Sequence, residues 1–210
     1  MKIIPVCPYS FGSNTYILLS GSEAIVVDPS VSVRAIDSLL EQNRAKLCGI
    51  LLTHGHFDHT VAVDTLRDAH PVPLMMHSGD APMMTDGQIN GFYEFFGKEC
   101  THRPAERLLE DGETVSLCDE EIKVISTPGH SPGSICLLCH GESEDFLVSG
   151  DTLFSNSVGR WDLWGGDAPT LARSLARLRE LDGSMRIYAG HGEDATLASA
   201  LENAKYYLDF

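Results

Sequence analysis

Apolar runs separated by turn-forming residues predict a chain rich in short strands. The first predicted strands are KIIPV (2–6), NTYILLS (14–20) and EAIVVD (23–28). LCGILLT (47–53) is apolar at nearly every position, which is typical of a strand buried on both faces. Further runs predict strands at 73–77, 113–117, 121–127, 134–139, 145–150 and 185–190. The core is therefore expected to be built on sheets.

Four helices are predicted where apolar residues recur at helical spacing. Their apolar stripes are Val33, Ile36, Leu39 and Leu40; Val61, Leu66 and Ala69; Leu171, Leu175, Leu178 and Leu181; and Leu197, Leu201, Ala204 and Leu208. Pro71 is expected to end the second helix, because its ring cannot continue the helical backbone. The pattern predicts two sheets flanked by helices within a single domain, residues 1–210.

Residues 79–104 show no clear period. The piece GQINGFYEFFG is rich in glycine and aromatic residues. Two interpretations remain open: a loop that packs on the core, or a flap over a functional site, since long irregular loops often carry function.

Charge narrows the classes of partner. Thirty acidic and fifteen basic residues give a formal net charge of −15. This field repels a polyanion, and no Lys/Arg cluster offsets it, so nucleic acid is not expected to bind. No run is apolar enough for a signal peptide or a membrane span, so the expected location is the cytoplasm, with no membrane partner.

The six cysteines, at positions 7, 48, 100, 118, 136 and 139, are scattered along the chain. Cys136 and Cys139 have the spacing of a redox motif but lie in the predicted strand SICLLC. Residues i and i+3 of a strand point to opposite faces. The two thiols are therefore expected to be buried strand residues and not shared ligands.

The chemistry is concentrated at the ends of strands. HGHFDH, directly after LCGILLT, places His54, His56, Asp58 and His59 in a turn that can gather them around one point. Imidazole and carboxylate are ligands for zinc, iron or manganese. The same order of strand, small residue and ligand recurs downstream at His130, Asp151 and His191. Four strand ends that point ligands the same way predict one metal site at one edge of the sheets.

Seven ligands are too many for one tetrahedral zinc. They suit two ions with three ligands each and one shared carboxylate. In two-metal sites the ions trap a water molecule whose pKa falls to about 7, so a nucleophile is present at neutral pH.

HGHFDH, TPGHSPG, GDTLF and AGHG in this order resemble the metallo-β-lactamase fold superfamily, and VVDPS near the start also matches. The resemblance spans nearly the whole chain and implies a four-layer αββα sandwich of mixed α and β structure. It implies that His54, His56 and His130 hold one metal and that Asp58, His59 and His191 hold the other. Asp151 would bridge the two ions, and Asp28 would support them from behind.

Within that superfamily, GDTLFSNSVGRWDLWGGD (150–167) is similar to single-domain glyoxalase II-like hydrolases. The resemblance implies hydrolysis of a small-molecule thioester or related ester by a hydroxide bound between two divalent ions, with zinc expected and iron or manganese as alternatives. Asp58 would be both a ligand and a catalytic residue. The stretch after AGHG departs from the family pattern, so glutathione recognition is left open. The oligomeric state is also left open.

Three alternative functions make different demands on the sequence. A mononuclear iron oxygenase of the persulfide dioxygenase type would use His54, His130 and Asp151, so the ligands alone do not separate it from a hydrolase. A non-enzymatic metal-binding protein with the same fold would be expected to have lost some ligands, but this chain keeps all seven. A nuclease is disfavoured by the acidic charge.

Arg160 and Asp162 in GRWD are expected to pair with each other or with a neighbouring loop, and not to contact the substrate. Trp161 and Trp164 would line the cleft or anchor the core.

Overall fold

The computed structural model describes residues 1–6 and 12–210 and contains two six-stranded sheets. The strands of the first sheet lie in chain order: β1 (Lys2–Val6), β2 (Thr15–Ser20), β3 (Glu23–Val27), β4 (Lys46–Leu51), β5 (Leu74–His77) and β6 (Arg107–Leu109). β1, β2 and β3 are antiparallel neighbours, whereas β3 to β6 run parallel. The carboxyl ends of the parallel strands therefore share one edge of this sheet.

The strands of the second sheet also follow chain order: β7 (Thr114–Leu117), β8 (Glu120–Ser126), β9 (Ile135–Cys139), β10 (Phe146–Gly150), β11 (Arg186–Ala189) and β12 (Ala195–Thr196). Only β10 and β11 pair in parallel; the other neighbours are antiparallel. The loops that leave β10 and β11 consequently start at the same edge.

In the described part of the chain, six α-helices accompany the sheets: α1 (Val33–Asn43), α2 (Val63–Ala69), α3 (Ala81–Thr85), α4 (Phe92–Phe96), α5 (Ala168–Leu178) and α6 (Leu197–Ala204). Side-chain oxygens cap three of them at the amino end, where backbone N–H groups lack helical partners. These caps are Ser32 for α1, Asp167 for α5 and Thr196 for α6.

The apolar residues form three buried layers. One layer, with Leu18 and Leu137, fills the space between the two sheets. A second packs the outer face of the first sheet against α1 and α2, with Ile36 and Leu66 at its centre. A third packs the second sheet against α5 and α6 through residues such as Leu175. Helices thus cover both outer faces, and the predicted αββα sandwich is confirmed.

The strand predictions from sequence are confirmed, but some details were wrong. The pattern missed the short strands β6 and β12, which are too brief to show a period. The second helix begins at Val63, and Val61, predicted on its apolar stripe, is 59 % exposed. Leu181 and Leu208 lie beyond the ends of α5 and α6. Both still pack against the third layer, which explains why they carry the apolar pattern.

The prediction that Cys136 and Cys139 are buried and face opposite sides of their strand is confirmed. Cys139 packs between the sheets and Cys136 packs on the helix side of β9, so the two thiols face opposite layers. Cys7 lies outside the described residues. Within the described ranges, no helix is long and apolar enough to cross a membrane. The assignment of residues 1–210 to one domain stays a prediction.

Candidate metal centre

The predicted ligands lie together at one edge of the sandwich. β4 ends at Leu51 and leads into the loop that carries His54 and His56, after which a 3-10 helix spans Phe57–His59. The remaining ligands follow β8, β10 and β11: His130, Asp151 and His191. All seven predicted ligands thus reach one place, and their role as metal ligands stays a prediction.

Three of them form a buried cluster, here called the three-histidine group: His54, His56 and His130. His130 Nε2 lies 2.9 Å from His56 Nδ1 and 3.2 Å from His54 Nε2. A neutral imidazole has one donor and one acceptor nitrogen. Three nitrogens that converge this closely repel one another unless a proton or a cation lies between them.

The second cluster, here called the open group, consists of Asp58, His59 and His191, whose ligand atoms lie within 4.8 Å of one another. His191 Nε2 is 3.1 Å from Asp58 Oδ2. His59 is fully buried, whereas the His191 side chain is 39 % exposed. This group therefore faces solvent on one side.

Asp151 lies between the two groups. Its Oδ1 is 3.3 Å from His59 Nε2, and its Oδ2 is 3.5 Å from His191 Nε2 and 3.7 Å from His130 Nε2. A carboxylate that reaches both clusters can offer an oxygen to an ion in each. The placement agrees with the bridging role that the family resemblance implies.

Asp28 orients two of the histidines from behind. Its carboxylate accepts hydrogen bonds from Thr53 N at 2.8 Å, Thr53 Oγ1 at 2.6 Å and His59 Nδ1 at 2.8 Å. Because the Thr53 hydroxyl gives its proton to Asp28, it accepts from His54 Nδ1, 3.2 Å away. Both rings therefore keep Nε2 free for a metal, which is the usual way that an outer partner selects the tautomer.

Asp80 is a second buried carboxylate that the sequence analysis missed. It accepts hydrogen bonds from Gly55 N at 2.9 Å, Ser131 Oγ at 2.6 Å and Gly133 N at 2.6 Å. Gly55 lies between two members of the three-histidine group, and Ser131 follows the third. Asp80 thus ties two ligand loops together. The available signal was a carboxylate shortly after the strand PLMMH, the same pattern that marks the ligands.

Gly190 shows why a small residue precedes a ligand. A Cβ atom at this position would collide with Asp151 Oδ1 and lie 2.7 Å from His59 Cε1. Any side chain there would push the Asp151 carboxylate away from its neighbours.

Two members of the three-histidine group, His54 and His56, are held neutral. Burial lowers the pKa of His56 to about 3, and the charge of nearby His130 adds to the effect. Burial likewise lowers the pKa of His54 well below its usual range. A neutral imidazole has a free lone pair, so these rings are ready to bind a cation.

The open group behaves in the opposite way. Burial disfavours a charged His191, but its hydrogen bonds with Asp151 and Asp58 prevail and raise its pKa to about 9. Burial also opposes a charged His59, yet Asp151 and Asp28 raise the pKa of His59 well above its usual range. For Asp151, burial raises the pKa, but His59 and His191 outweigh it and lower the pKa well below its usual range. Without metal, protons occupy this group.

The residues fit a pair of metal ions. Two atoms at the centre, His59 Nε2 and Asp151 Oδ1, are buried without a hydrogen-bond partner among the described residues. A buried polar atom without a partner costs about 1–3 kcal/mol, which a coordinated cation would offset. Nitrogen and carboxylate oxygen donors suit zinc, iron or manganese.

A cavity of about 890 Å³ opens over these ligands. Asp58, Asp151 and His191 contribute to its floor. One wall of the cavity consists of Phe57, Phe95 and Phe96. Another consists of Phe154 with the polar residues 155–157. The size is within the range of small-molecule sites.

The remaining sequence candidates lie outside the ligand set. Arg160 and Asp162 form the predicted ion pair, with Nε to Oδ1 and Nη2 to Oδ2 both 2.7 Å. The Arg160 backbone carbonyl accepts a hydrogen bond from His130 Nδ1 at 2.7 Å, which leaves His130 Nε2 free. Trp161 packs against the core, and Trp164 is exposed. Neither tryptophan lines the cavity over the ligands.

Known proteins are similar to this chain in sequence and in fold. A family model described as the Metallo-beta-lactamase superfamily matches residues 9–191. The probable metallo-hydrolase YqgX of Bacillus subtilis is 32 % identical, over 99 % of this chain and 97 % of that protein. The B3 metallo-β-lactamase BLEG-1 is 31 % identical, with a TM-score of 0.89 over 98 % of this chain and 99 % of that one. TTHA1623, solved in a di-iron-bound form, is 31 % identical, with a TM-score of 0.83 over 97 % and 99 %.

These likenesses include a probable metallo-hydrolase, a β-lactamase and a di-iron protein. They do not single out the glyoxalase II-like subgroup that the sequence suggested, and they do not single out one metal. They cover almost the full chain and carry the same αββα architecture. The chain therefore belongs to the metallo-β-lactamase superfamily.

Proposed function

We propose that this protein is a hydrolase that uses two divalent metal ions to cleave a small-molecule thioester or a related ester. The observation that carries the proposal is the position of Asp151. Its two oxygens lie within 3.3–3.7 Å of nitrogens from both ligand groups. A carboxylate in this position can offer one oxygen to an ion on each side of it.

In this proposal His54, His56 and His130 hold one ion, Asp58, His59 and His191 hold the other, and Asp151 is shared. When bound, the ions supply an activated water molecule at neutral pH and polarise the carbonyl of the substrate. Zinc is the expected metal, and iron and manganese accept the same donors.

Asp58 has a role in the reaction beyond holding metal. Its backbone carbonyl accepts hydrogen bonds from Ser30 Oγ and from Ser13 N, the latter at 3.1 Å, so the residue is firmly placed. Burial raises the pKa of Asp58, but His59 and His191 outweigh it and lower the pKa below its usual value. An ionised Asp58 at the cavity floor can orient the attacking water and accept its proton.

The overall reaction is balanced without any co-reactant. Water adds its oxygen to the carbonyl carbon, the C–S or C–O bond to the leaving group breaks, and the leaving group departs as a thiol or alcohol. The products are one carboxylic acid and one thiol or alcohol. The cavity is open to solvent above Asp58 and His191, so both products can leave.

A mononuclear iron oxygenase explains less of the structure. That reaction needs only two histidines and a carboxylate with open positions. It assigns no role to His191, whose Nε2 lies 3.5 Å from Asp151 Oδ2, or to Asp58, whose Oδ2 lies 3.1 Å from the same nitrogen.

The deciding experiment combines metal content with a substrate screen. Protein purified without added metal is loaded with zinc, manganese or iron, and bound metal is counted by plasma mass spectrometry. Thioesters, esters, lactones and phosphoesters are then tested, and oxygen uptake is recorded in parallel. We expect two ions per chain and thioester or ester hydrolysis. One ion at saturation, or turnover that consumes oxygen, would overturn the proposal.

A further inference from the structure

We infer that an aromatic wall beside the metal centre binds an uncharged apolar group of the substrate, and that the charges of the same cavity make anionic glutathione thioesters poor substrates. The aromatic wall is defined as Phe57, Phe95 and Phe96, which all line the cavity. The inference rests on the proposed function, because it names the class of ester or thioester that the same site would cleave.

The wall is attached directly to the ligands. Phe57 lies between His56 and Asp58 in the chain, and its ring centre is 5.7 Å from those of both Phe95 and Phe96. Rings at these separations pack as a continuous apolar surface. A substrate whose carbonyl reaches the metal centre therefore lies within reach of these rings.

The two outer rings are exposed to water. Phe95 is 58 % exposed and Phe96 is 51 % exposed, on the short helix α4. Gly91 and Gly97 flank this helix with φ of 84° and 64°, a left-handed conformation that favours glycine. Phe92 backs the wall, with its ring centre 4.6 Å from that of Phe96. Exposed phenyl rings over a cavity are covered favourably by an apolar group of the substrate.

The charges of the cavity oppose an anionic substrate tail. Apart from histidines, Arg160 is the one cationic residue in the described lining of this cavity. Asp162 already occupies its guanidinium with two hydrogen bonds of 2.7 Å. Glu193 adds a negative charge to the lining. Glutathione carries two carboxylates, and the cavity offers no unpaired Lys or Arg among the described residues to bind them.

Helix α4 supplies a matched control. Tyr93 is 46 % exposed on the same helix but does not line the cavity. Removing its ring changes the helix surface as much as removing Phe95 does, without touching the wall. The two test variants are therefore Phe95→Ala with Phe96→Ala, and Tyr93→Ala.

The metal-loaded protein is assayed with two neutral substrates, the acetyl and the phenylacetyl thioesters of N-acetylcysteamine. An S-benzyl thioester of acetate places the ring on the thiol side instead, and S-lactoylglutathione provides the anionic arm. We expect kcat/KM at least about tenfold higher for one aromatic substrate than for acetyl-N-acetylcysteamine, mainly through KM. The double variant should lose this preference, Tyr93→Ala should keep it, and S-lactoylglutathione should be the poorest substrate.

A binding measurement separates this inference from the proposed function. Calorimetry with the non-hydrolysable phenethyl thioether of N-acetylcysteamine reports on the wall without any turnover. Loss of thioether affinity in the double variant, with no hydrolysis by the wild type, would remove the proposed function and leave the wall standing. Hydrolysis without aromatic preference, equal selectivity in the double variant, or preference for S-lactoylglutathione would overturn the wall alone. A double variant with unchanged selectivity but a changed oligomeric state would show that the rings cover a second copy instead.

Discussion

The three-histidine group and the open group are neighbours, yet they are built for different tasks. The residues of the first group are at most 4 % exposed, and burial keeps His54 and His56 neutral without metal. The second group includes the more exposed His191, and carboxylates keep His59 and His191 protonated. One group is therefore prepared to hold an ion, whereas the other must exchange protons for its ion where the substrate arrives.

The supports of the two groups differ as well. Among the described residues, the Asp80 carboxylate accepts hydrogen bonds only from the loops of the three-histidine group. Asp28 bonds to His59 directly and to His54 through Thr53, so it supports both groups. An ion in the open group therefore depends on Asp28, which also supports the three-histidine group. Four measurements test the difference between the two groups.

The largest effect is expected for Asp58→Ala. This change removes a ligand of the open group and the proton acceptor of the proposed reaction, and it leaves the three-histidine group intact. We expect turnover to fall by at least about 10²-fold, or about 2.7 kcal/mol of barrier, with one ion kept per chain. Metal content and ester hydrolysis are measured side by side.

Asp162→Ala is the matched control for Asp58→Ala, since it removes an exposed carboxylate near the cavity. It should retain both ions. An Asp58→Ala variant with two ions and full turnover would refute the role given to this residue.

A smaller effect is expected from the two supporting carboxylates. Residues that hydrogen-bond to metal ligands typically contribute roughly 10- to 100-fold to metal affinity. Asp80→Asn should lower, by about that factor, only the affinity for the ion in the three-histidine group (the first ion). Asp28→Asn should also lower the affinity for the ion in the open group (the second ion). Competition with a chelator measures each affinity. Asp37→Asn, whose carboxylate pairs with His70 away from the centre, is the control. If both variants changed the affinities for the two ions in the same way, the separate roles given to Asp80 and Asp28 would be wrong.

The pH dependence of metal binding should also differ between the groups. The pKa of His191 rises from 6.5 to about 9, so this ring is protonated at neutral pH, and a rising pH removes the proton that competes with the ion. The affinity for the second ion should therefore increase up to about pH 9, by about tenfold per pH unit for each proton displaced.

The first ion should depend less on pH, because His56, with a pKa of about 3, is already neutral. Calorimetry of the metal-free protein in buffers of different ionisation enthalpy counts the protons released per ion. Equal proton release for the two ions would show that the contrast between the groups is wrong.

The smallest effect is expected far from both groups. Cys136→Ser and Cys139→Ser change thiols that pack in separate layers of the core. Burial raises the pKa of Cys136 to about 11, so its thiol stays protonated and is a poor ligand. Metal content and turnover should stay nearly unchanged in both variants. A drop of more than about tenfold in either quantity would mean that these cysteines reach the metal centre.

Much of the architecture was readable from the sequence. The strands that carry ligands have local apolar periods, and each ligand follows its strand within a few residues, so His54, His130, Asp151 and His191 could be assigned to one edge. The two sheets and the flanking helices were predictable for the same reason. Periodicity is a local property of the chain, and it survives because each strand or helix must bury its own apolar face.

Tertiary structure alone decided how the site works. Asp80 meets partners 25 and 53 residues away in the chain, and no local pattern connects them. The segment 79–104, which has no period, becomes two short helices, and one of them brings Phe95 and Phe96 over the cavity. Whether a histidine is neutral or charged depends on how many carboxylates the fold places around it and how much water it excludes. Long-range contacts set both quantities. The sequence therefore predicted the fold and the candidate ligands, while packing determined the protonation of those residues, their supports and the surface of the cavity beside them.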